Sequence, residues 1–242
     1  MKSSFDMVYG LNSVRSVLDG TRKIEKVLMT KQKENSEIFN KCANKNVPFK
    51  IVDKKELDSI TKFGNHQGFV AFVEPFKYKD LKDFLNEKKE EQPLILILDG
   101  IEDPHNLGSI IRTAETAGVH GIIIPKRRAC GVNSTVSKVS AGAVQHMKIA
   151  RVNNINETIK FLKQNDIWIC GTDGQAKTYY YQQDFKMPVA IIIGSEGYGM
   201  SRLVKENCDF LVKIPMKGKI TSLNASVSAG IVMYEVTKQR EN

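Results

Sequence analysis

Five side chains carry most of the polar chemistry this sequence offers: Asn106, Arg112, Glu196, Ser222 and Asn224. They fall in three polar, glycine-bearing segments, 99–112, 194–201 and 215–226, each following an apolar run. In the first, Pro104 stops the preceding strand, Asn106 falls where a helix N-cap belongs, and Arg112 stands six residues on. Helical spacing alone does not put Asn106 and Arg112 on one face. Both can still reach one cleft, where a guanidinium would bind an anion or lower the pKa of a hydroxyl. In the second, Gly194, Gly197 and Gly199 allow tight turns and close approach of a ligand to the backbone, and Glu196 puts a carboxylate at the strand exit. In the third, Ser222 and Asn224 sit where side-chain oxygens and the free N–H groups of a helix start are available. Each segment alone has a plain reading: a capped helix with a solvated arginine, a glycine turn with a surface glutamate, and a second capped helix.

The elements around these segments give them a common place. Apolar runs at 94–98, 121–124, 167–170, 189–193 and 210–214 fit strands buried on both faces of a parallel sheet. Helical stretches at 107–117, 156–164 and 224–238 separate most of them, which predicts an α/β domain with a mainly parallel sheet. In such sheets ligands bind beyond the carboxyl ends of the strands, and the three segments lie there. Residues 1–75 read as a smaller α/β unit. Its expected parts are a helix over 13–18 capped by Asn12, a strand over 24–29, a helix over 34–43 and a strand over 49–52. A helix to Ile60 behind a capping box of Asp53 and Glu56, and a strand over 68–73, complete it. Residues 76–92 are charged and weakly apolar, as in a linker or a short surface helix. The expected domains are therefore 1–75, a linker over 76–92, and 93–242.

Composition narrows the class. The 242 residues are 41% hydrophobic, enough for a real core, and carry a net charge of +9. Residues 1–75 contribute +4, 76–92 zero and 93–242 +5, so both domains could meet an anionic partner, nucleic acid being the commonest. No stretch approaches the roughly 20 apolar residues of a membrane span, and the N-terminus lacks a signal-type apolar run, so a soluble, cytoplasmic protein with no membrane contact is expected. Cys42, Cys130, Cys170 and Cys208 are far apart and no histidines cluster with them, which reads as reduced structural thiols and no metal site. No GxGxxG follows the 94–98 strand and no GxxxxGK[ST] occurs, so neither a dinucleotide nor a Walker-type site is supported.

Taken in order, the segments DPHNLGSIIRTAETAG (103–118), IIIGSEGYGMS (191–201) and IPMKGKITSLNASVSAG (214–230) resemble the three motifs of the SpoU, or TrmH-like, branch of SPOUT RNA methyltransferases. NSTVSKVSAGA (133–143) and WICGTDGQA (168–176) extend the likeness. YGLNSVRSVLDG (9–20) and HQGFVAFV (66–73) resemble the L30e-like substrate-binding domain of the RlmB group, so the resemblance spans nearly the whole chain. Ala225 and Ser228 depart from the pattern, where Val and Ala are usual; both are small.

The resemblance implies a C-terminal trefoil knot, a homodimer and S-adenosylmethionine as cofactor. Knots are too rare to be proposed from pattern. By position, the resemblance places Thr172, Gly174, Gly194, Glu196, Gly197, Ile214, Met216, Ser222 and Leu223 around the cofactor. It assigns Arg112, Asn106, Glu196, Ser222 and Asn224 to catalysis. Arg112 would be either the base or an electrostatic activator, and in family dimers it acts near the partner's pocket. Asn106 would orient Arg112 or the ribose. The implied reaction is 2'-O-methylation of a guanosine ribose in the P loop of domain V of 23S rRNA. The alternatives are methylation of tRNA or another rRNA position, or an RNA-binding assembly factor without catalysis.

Overall fold

The computed structural model describes residues 5–84 and 92–241, which form two compact units. Residues 85–91 of the expected linker lie outside the described residues. The units do not follow chain order. The first comprises residues 1–77 together with 132–146, and the second comprises 78–131 and 147–242.

The first unit contains β1 (Asp6–Tyr9), α1 (Leu11–Asp19), β2 (Ile24–Thr30), α2 (Glu37–Asn44), β3 (Phe49–Val52), α3 (Lys54–Ile60) and β4 (Phe69–Val73). Its sheet runs β1-β4-β2-β3, with only the β2–β3 pair parallel. The period of two along β2 divides the core. Val27 and Met29 pack with Val14, Val17 and Leu18 of α1 and Ile38 of α2, while Leu28 packs with Val70 and Leu57 of α3. The helix starts correct the sequence reading. α1 opens behind Gly10, at φ 94°, rather than behind Asn12, which lies inside the first turn. α2 opens at Glu37, later than expected, because Ser36 Oγ accepts the Phe39 N–H. Asp53 precedes α3 without a side-chain cap, so the expected capping box is not formed.

The second unit contains β5 (Leu94–Asp99), α4 (Pro104–Thr116) and β6 (Gly121–Pro125), after which the chain leaves it. The departing segment holds α5 (Ser134–Val139), which packs on β1 and α1 of the first unit. Ser13 Oγ donates to Ser137 O at 3.0 Å and Ser16 Oγ to Gly142 O at 2.9 Å. The chain returns as β7 (Ile149–Val152), α6 (Ile155–Lys163), β8 (Trp168–Thr172), β9 (Thr178–Tyr179), β10 (Val189–Gly194), α7 (Arg202–Glu206), β11 (Phe210–Lys213) and α8 (Ala225–Glu241). The sheet is β7-β6-β5-β10-β8-β11-β9, and every pairing in it is parallel. β5 and β10 are buried along both faces, as unbroken apolar runs require. Leu81–Phe84, inside the expected linker, form a 3-10 turn whose Phe84 is buried in this unit's core. No helix among the described residues is long and apolar enough to cross a membrane.

Candidate active site

β5, β10, β8 and β11 lie side by side and run in one direction, so their carboxyl ends share one edge of the sheet. The second polar segment leaves that edge as a closed turn. Ser195 N–H donates to Gly199 O at 3.1 Å, and Gly199 N–H donates back to Ser195 O at 2.9 Å. Gly197 and Gly199 have φ of +86° and +66°, a region that favours glycine. Gly194 is required for a different reason. A Cβ there would stand 2.2 Å from the Gly199 carbonyl carbon and 2.4 Å from the Met200 nitrogen. Ser201 N–H donates to Asp99 Oδ2 at 2.9 Å and ties the turn to the end of β5.

This turn places Glu196 at the start of α8. Glu196 Oε1 accepts hydrogen bonds from Asn106 Nδ2 at 3.1 Å, Asn224 Nδ2 at 2.5 Å and Ala225 N–H at 3.1 Å. Asn224 Nδ2 also donates to Asn106 Oδ1 at 2.8 Å, across 118 residues of sequence. Asn224 Oδ1 caps α8, accepting from Ser226 N–H at 2.9 Å and Val227 N–H at 3.4 Å. A carboxylate facing a helix N-terminus is electrostatically favoured. One side chain thereby joins all three polar segments.

Three expectations change here. Asn106 does not cap α4. Asp103 does, accepting the N–H groups of His105 at 3.1 Å and Asn106 at 3.3 Å, with Pro104 as the first helical residue. The shift leaves the Asn106 amide free for Glu196 and Asn224. Arg112, one of the two groups that Asn106 was expected to orient, the ribose being the other, makes no hydrogen bond with it. Six residues along a helix is a rotation of about 600°, which leaves the two side chains roughly 120° apart. The Arg112 guanidinium is exposed and pairs with no described residue. Ser222 is also exposed and makes no hydrogen bond to a described residue, so the start of α8 is capped by Asn224 and Glu196 and not by Ser222.

The remaining expected binding residues come from the same edge. Thr172 ends β8, and its Oγ1 donates to Ile192 O of β10 at 2.9 Å. Gly174 and Gly218 face open space, since a Cβ at either meets nothing within 4 Å. Ile214 and Leu223 are half-buried and Met216 is exposed, giving apolar surface beside free backbone groups. Exposed apolar side chains next to main-chain groups can meet a flat heterocycle.

A cleft of about 750 Å³ opens beside the Glu196 turn, lined by Asp99, Asn106, Glu196, Tyr198, Arg127 and Arg128. The two arginines follow β6, whose last residue is Pro125. The sequence reading passed over them, although the rule that sites lie at strand exits would have found them.

Three of the four thiols are poor nucleophiles. Burial pushes Cys42 up to about 11 and Cys208 up to about 12, and raises Cys170 further. Among the described residues no cluster of His, Cys, Asp and Glu is placed to hold a metal ion.

One unit is thus a parallel α/β sheet with three strand-exit loops joined at one carboxylate, and the other is a smaller mixed sheet. The SpoU rRNA Methylase family matches residues 93–234, and the RNA 2'-O ribose methyltransferase substrate-binding domain matches residues 7–79. This chain belongs to the SpoU methyltransferase family. YacO of Bacillus subtilis, assigned to the TrmH family of tRNA/rRNA methyltransferases, is 47% identical over 245 residues, covering 99% of this chain and 98% of YacO. Among solved structures, AviRb from Streptomyces viridochromogenes, a SpoU methyltransferase in complex with AdoMet, aligns with a TM-score of 0.85 and 25% identity. That alignment covers all of this chain and 92% of AviRb. An AdoMet-bound rRNA methyltransferase from Sinorhizobium meliloti aligns with a TM-score of 0.82 and 26% identity, covering 98% of this chain and 88% of that one.

Proposed function

We propose that this protein transfers a methyl group from S-adenosylmethionine to a ribose 2'-hydroxyl of 23S rRNA, on a guanosine of the domain V P loop. The observation that carries the reading is the convergence of Asn106, Glu196 and Asn224, one from each motif, at the edge where the glycine loops open. The choice of rRNA draws on the N-terminal unit. Full-length likeness extends to AviRb and to the S. meliloti rRNA enzyme. The TrmH/SpoU tRNA-modifying enzyme of A. aeolicus, at a TM-score of 0.58, covers 66% of this chain.

The residues we assign to the cofactor suit its chemistry. Open backbone at Gly174 and Gly218 leaves room for an adenosine, and Ile214, Met216 and Leu223 supply apolar contact. Its sulfonium supplies a methyl group that is already activated. The protein must then align the hydroxyl and ease its deprotonation. Glu196, held by three donors, fixes the loops that shape the pocket. An arginine side chain offers hydrogen-bond donors and no acceptor, so the role given to Arg112 is electrostatic rather than that of a base. Its planar fork holds a phosphate and a ribose oxygen together and lowers the pKa of the hydroxyl, whose proton passes to bulk water as the oxygen takes the methyl group and the sulfonium becomes a neutral thioether.

The family resemblance has this arginine acting near the partner's pocket, and its exposed position on α4, turned away from Asn106, supports a role at the site of a second copy. The dimer face is the surface of α4 and α8. Val227 and Tyr234 of α8 are 48% and 49% exposed. Beside them, Tyr234 Oη donates to Thr116 Oγ1 of α4 at 3.3 Å.

Two expected outcomes follow from this pocket and this domain arrangement. S-adenosylmethionine binding, measured by calorimetry, is unchanged by a chelator, and Gly194→Ala lowers it at least tenfold because the Cβ forces the 195–199 turn open. Loss of binding with EDTA, or normal binding by Gly194→Ala, would contradict this pocket. A chain of residues 92–242 keeps cofactor binding but loses rRNA methylation. It also melts at a lower temperature, since α5 loses its packing on β1 and α1. Full rRNA methylation by that shortened chain would remove the role given to the first unit.

A further inference from the structure

The loop between α3 and β4, residues 61–68, is the most unusual stretch of the first unit. Lys62 and Phe63 both adopt left-handed backbone, at φ 52° and 59°. For a bulky aromatic residue that is a genuine outlier, and strain of this kind is kept where the surroundings over-determine it. Packing does not explain it, because the Phe63 side chain is 85% exposed and buries almost nothing of itself.

The loop is nevertheless firmly built. Phe63 N–H donates to Asp58 O at 2.7 Å, and Gly64 N–H to Thr61 O at 3.1 Å. The buried Thr61 hydroxyl donates to Leu57 O at 2.8 Å. His66, 4% exposed, accepts the Gly68 N–H at Nδ1 at 3.0 Å, so its proton sits on Nε2, which faces Asp58 Oδ1 at 3.0 Å. A rigid turn therefore displays one aromatic ring to solvent.

The surroundings say what the ring meets. Phe63 lines a concavity of about 460 Å³ with Lys33, Lys54, Asn65 and Gln67. Asp58 is the single acidic residue of that lining, and its carboxylate is engaged by His66. Among the described residues no other exposed large apolar side chain lines it, so it lacks the contiguous apolar patch of a protein-docking surface. A lone aromatic face, flanked by lysines and side-chain amides, is the pattern that binds unpaired nucleic acid: the ring stacks on a base and the cations take the phosphates.

We propose that residues 61–68, with Lys33 and Lys54, form a single-strand RNA site in which Phe63 stacks on an unpaired nucleobase. The site rests on the RNA reading above and names where the first unit grips its substrate.

The test uses the full chain, without cofactor, and two fluorescein-labelled probes: an unstructured 12-nucleotide RNA and the same sequence as a duplex. Phe63→Gly removes the ring and relieves the strained backbone. It should raise the melting temperature yet weaken single-strand binding about 5- to 100-fold, with duplex affinity changing less than twofold. Phe63→Trp should restore binding and Phe63→Leu should not. Combining Phe63→Trp with Trp168→Phe leaves one indole in the chain, at position 63, and its emission should fall on single-strand binding. Unchanged single-strand affinity in Phe63→Gly overturns the proposal and leaves the ring to a protein partner. Equal weakening toward both probes, or rescue by leucine, overturns stacking. A chain that binds through Phe63 but transfers no methyl group would sink the proposed function and spare this site.

Discussion

Arg112→Ala should methylate rRNA about 100- to 1000-fold more slowly than the wild-type chain at saturating RNA and cofactor, the loss typical of removing one electrostatic stabiliser from an active site. Cofactor affinity should stay within about twofold, because the loops that form that pocket do not include Arg112. RNA affinity should fall modestly, since the 36 Lys and Arg side chains of the sequence share the phosphate contacts. Arg112→Lys should recover little, because an ammonium lacks the planar fork that spans a phosphate and a ribose oxygen. Single-turnover rates beside separate binding titrations measure all three. Near wild-type turnover in Arg112→Ala would remove Arg112 from the chemistry. Full recovery at higher RNA concentration would make it a phosphate anchor only. The geometry adds a sharper form of the test. If Arg112 serves the partner's site, mixing inactive Arg112→Ala and Glu196→Ala chains should regenerate activity in the mixed dimers, each of which carries one intact composite site. No recovery on mixing would return Arg112 to its own chain.

Glu196→Ala should be as damaging for a different reason. The carboxylate accepts hydrogen bonds from Asn106, Asn224 and the Ala225 N–H, so its loss unties α4, the 195–199 turn and the start of α8 together. Both cofactor binding and turnover should fall, each by at least about tenfold, since bonds to a charged acceptor are worth about 1.5–3 kcal/mol and the solvent-facing setting places these toward the low end. Glu196→Gln keeps an acceptor oxygen at the same reach and should retain most of the cofactor affinity with weakened turnover. Melting temperature should fall by only a few degrees in either variant, because the core of β5 and β10 is untouched. A large drop in melting temperature would make Glu196 a fold-holding residue instead. Wild-type cofactor affinity in Glu196→Ala would break the link between the three segments and the pocket.

Much of this fold was legible from residue patterns. The runs at 94–98 and 189–193 are β5 and β10 to within one residue at their ends, because a strand buried on both faces leaves no room for polar residues. β7 went unread, since Arg151 interrupts a run of only four residues. The start of α4 was displaced because proline both ends strands and opens helices, and only the Asp103 cap decides between them. The excursion of residues 132–146 could not be read at all. Its partners, Ser13 and Ser16, lie more than 120 residues earlier, and no local pattern records that packing. At the site, sequence put Glu196 at a strand exit, but its partners are 28 to 90 residues away and only the folded chain brings them together. The direction in which Arg112 faces became visible only once the helix fixed its rotation about Asn106.

The proposed reaction delivers a methyl group to a ribose oxygen of rRNA. It is tested most directly by incubating the full-length protein with methyl-labelled S-adenosylmethionine and unmodified 23S rRNA, digesting the RNA to nucleosides, and locating the label by mass and by position. The expected product is 2'-O-methylguanosine arising from a single guanosine in the domain V P loop. Label on a base, or label entering tRNA while 23S rRNA stays unlabelled, would contradict it.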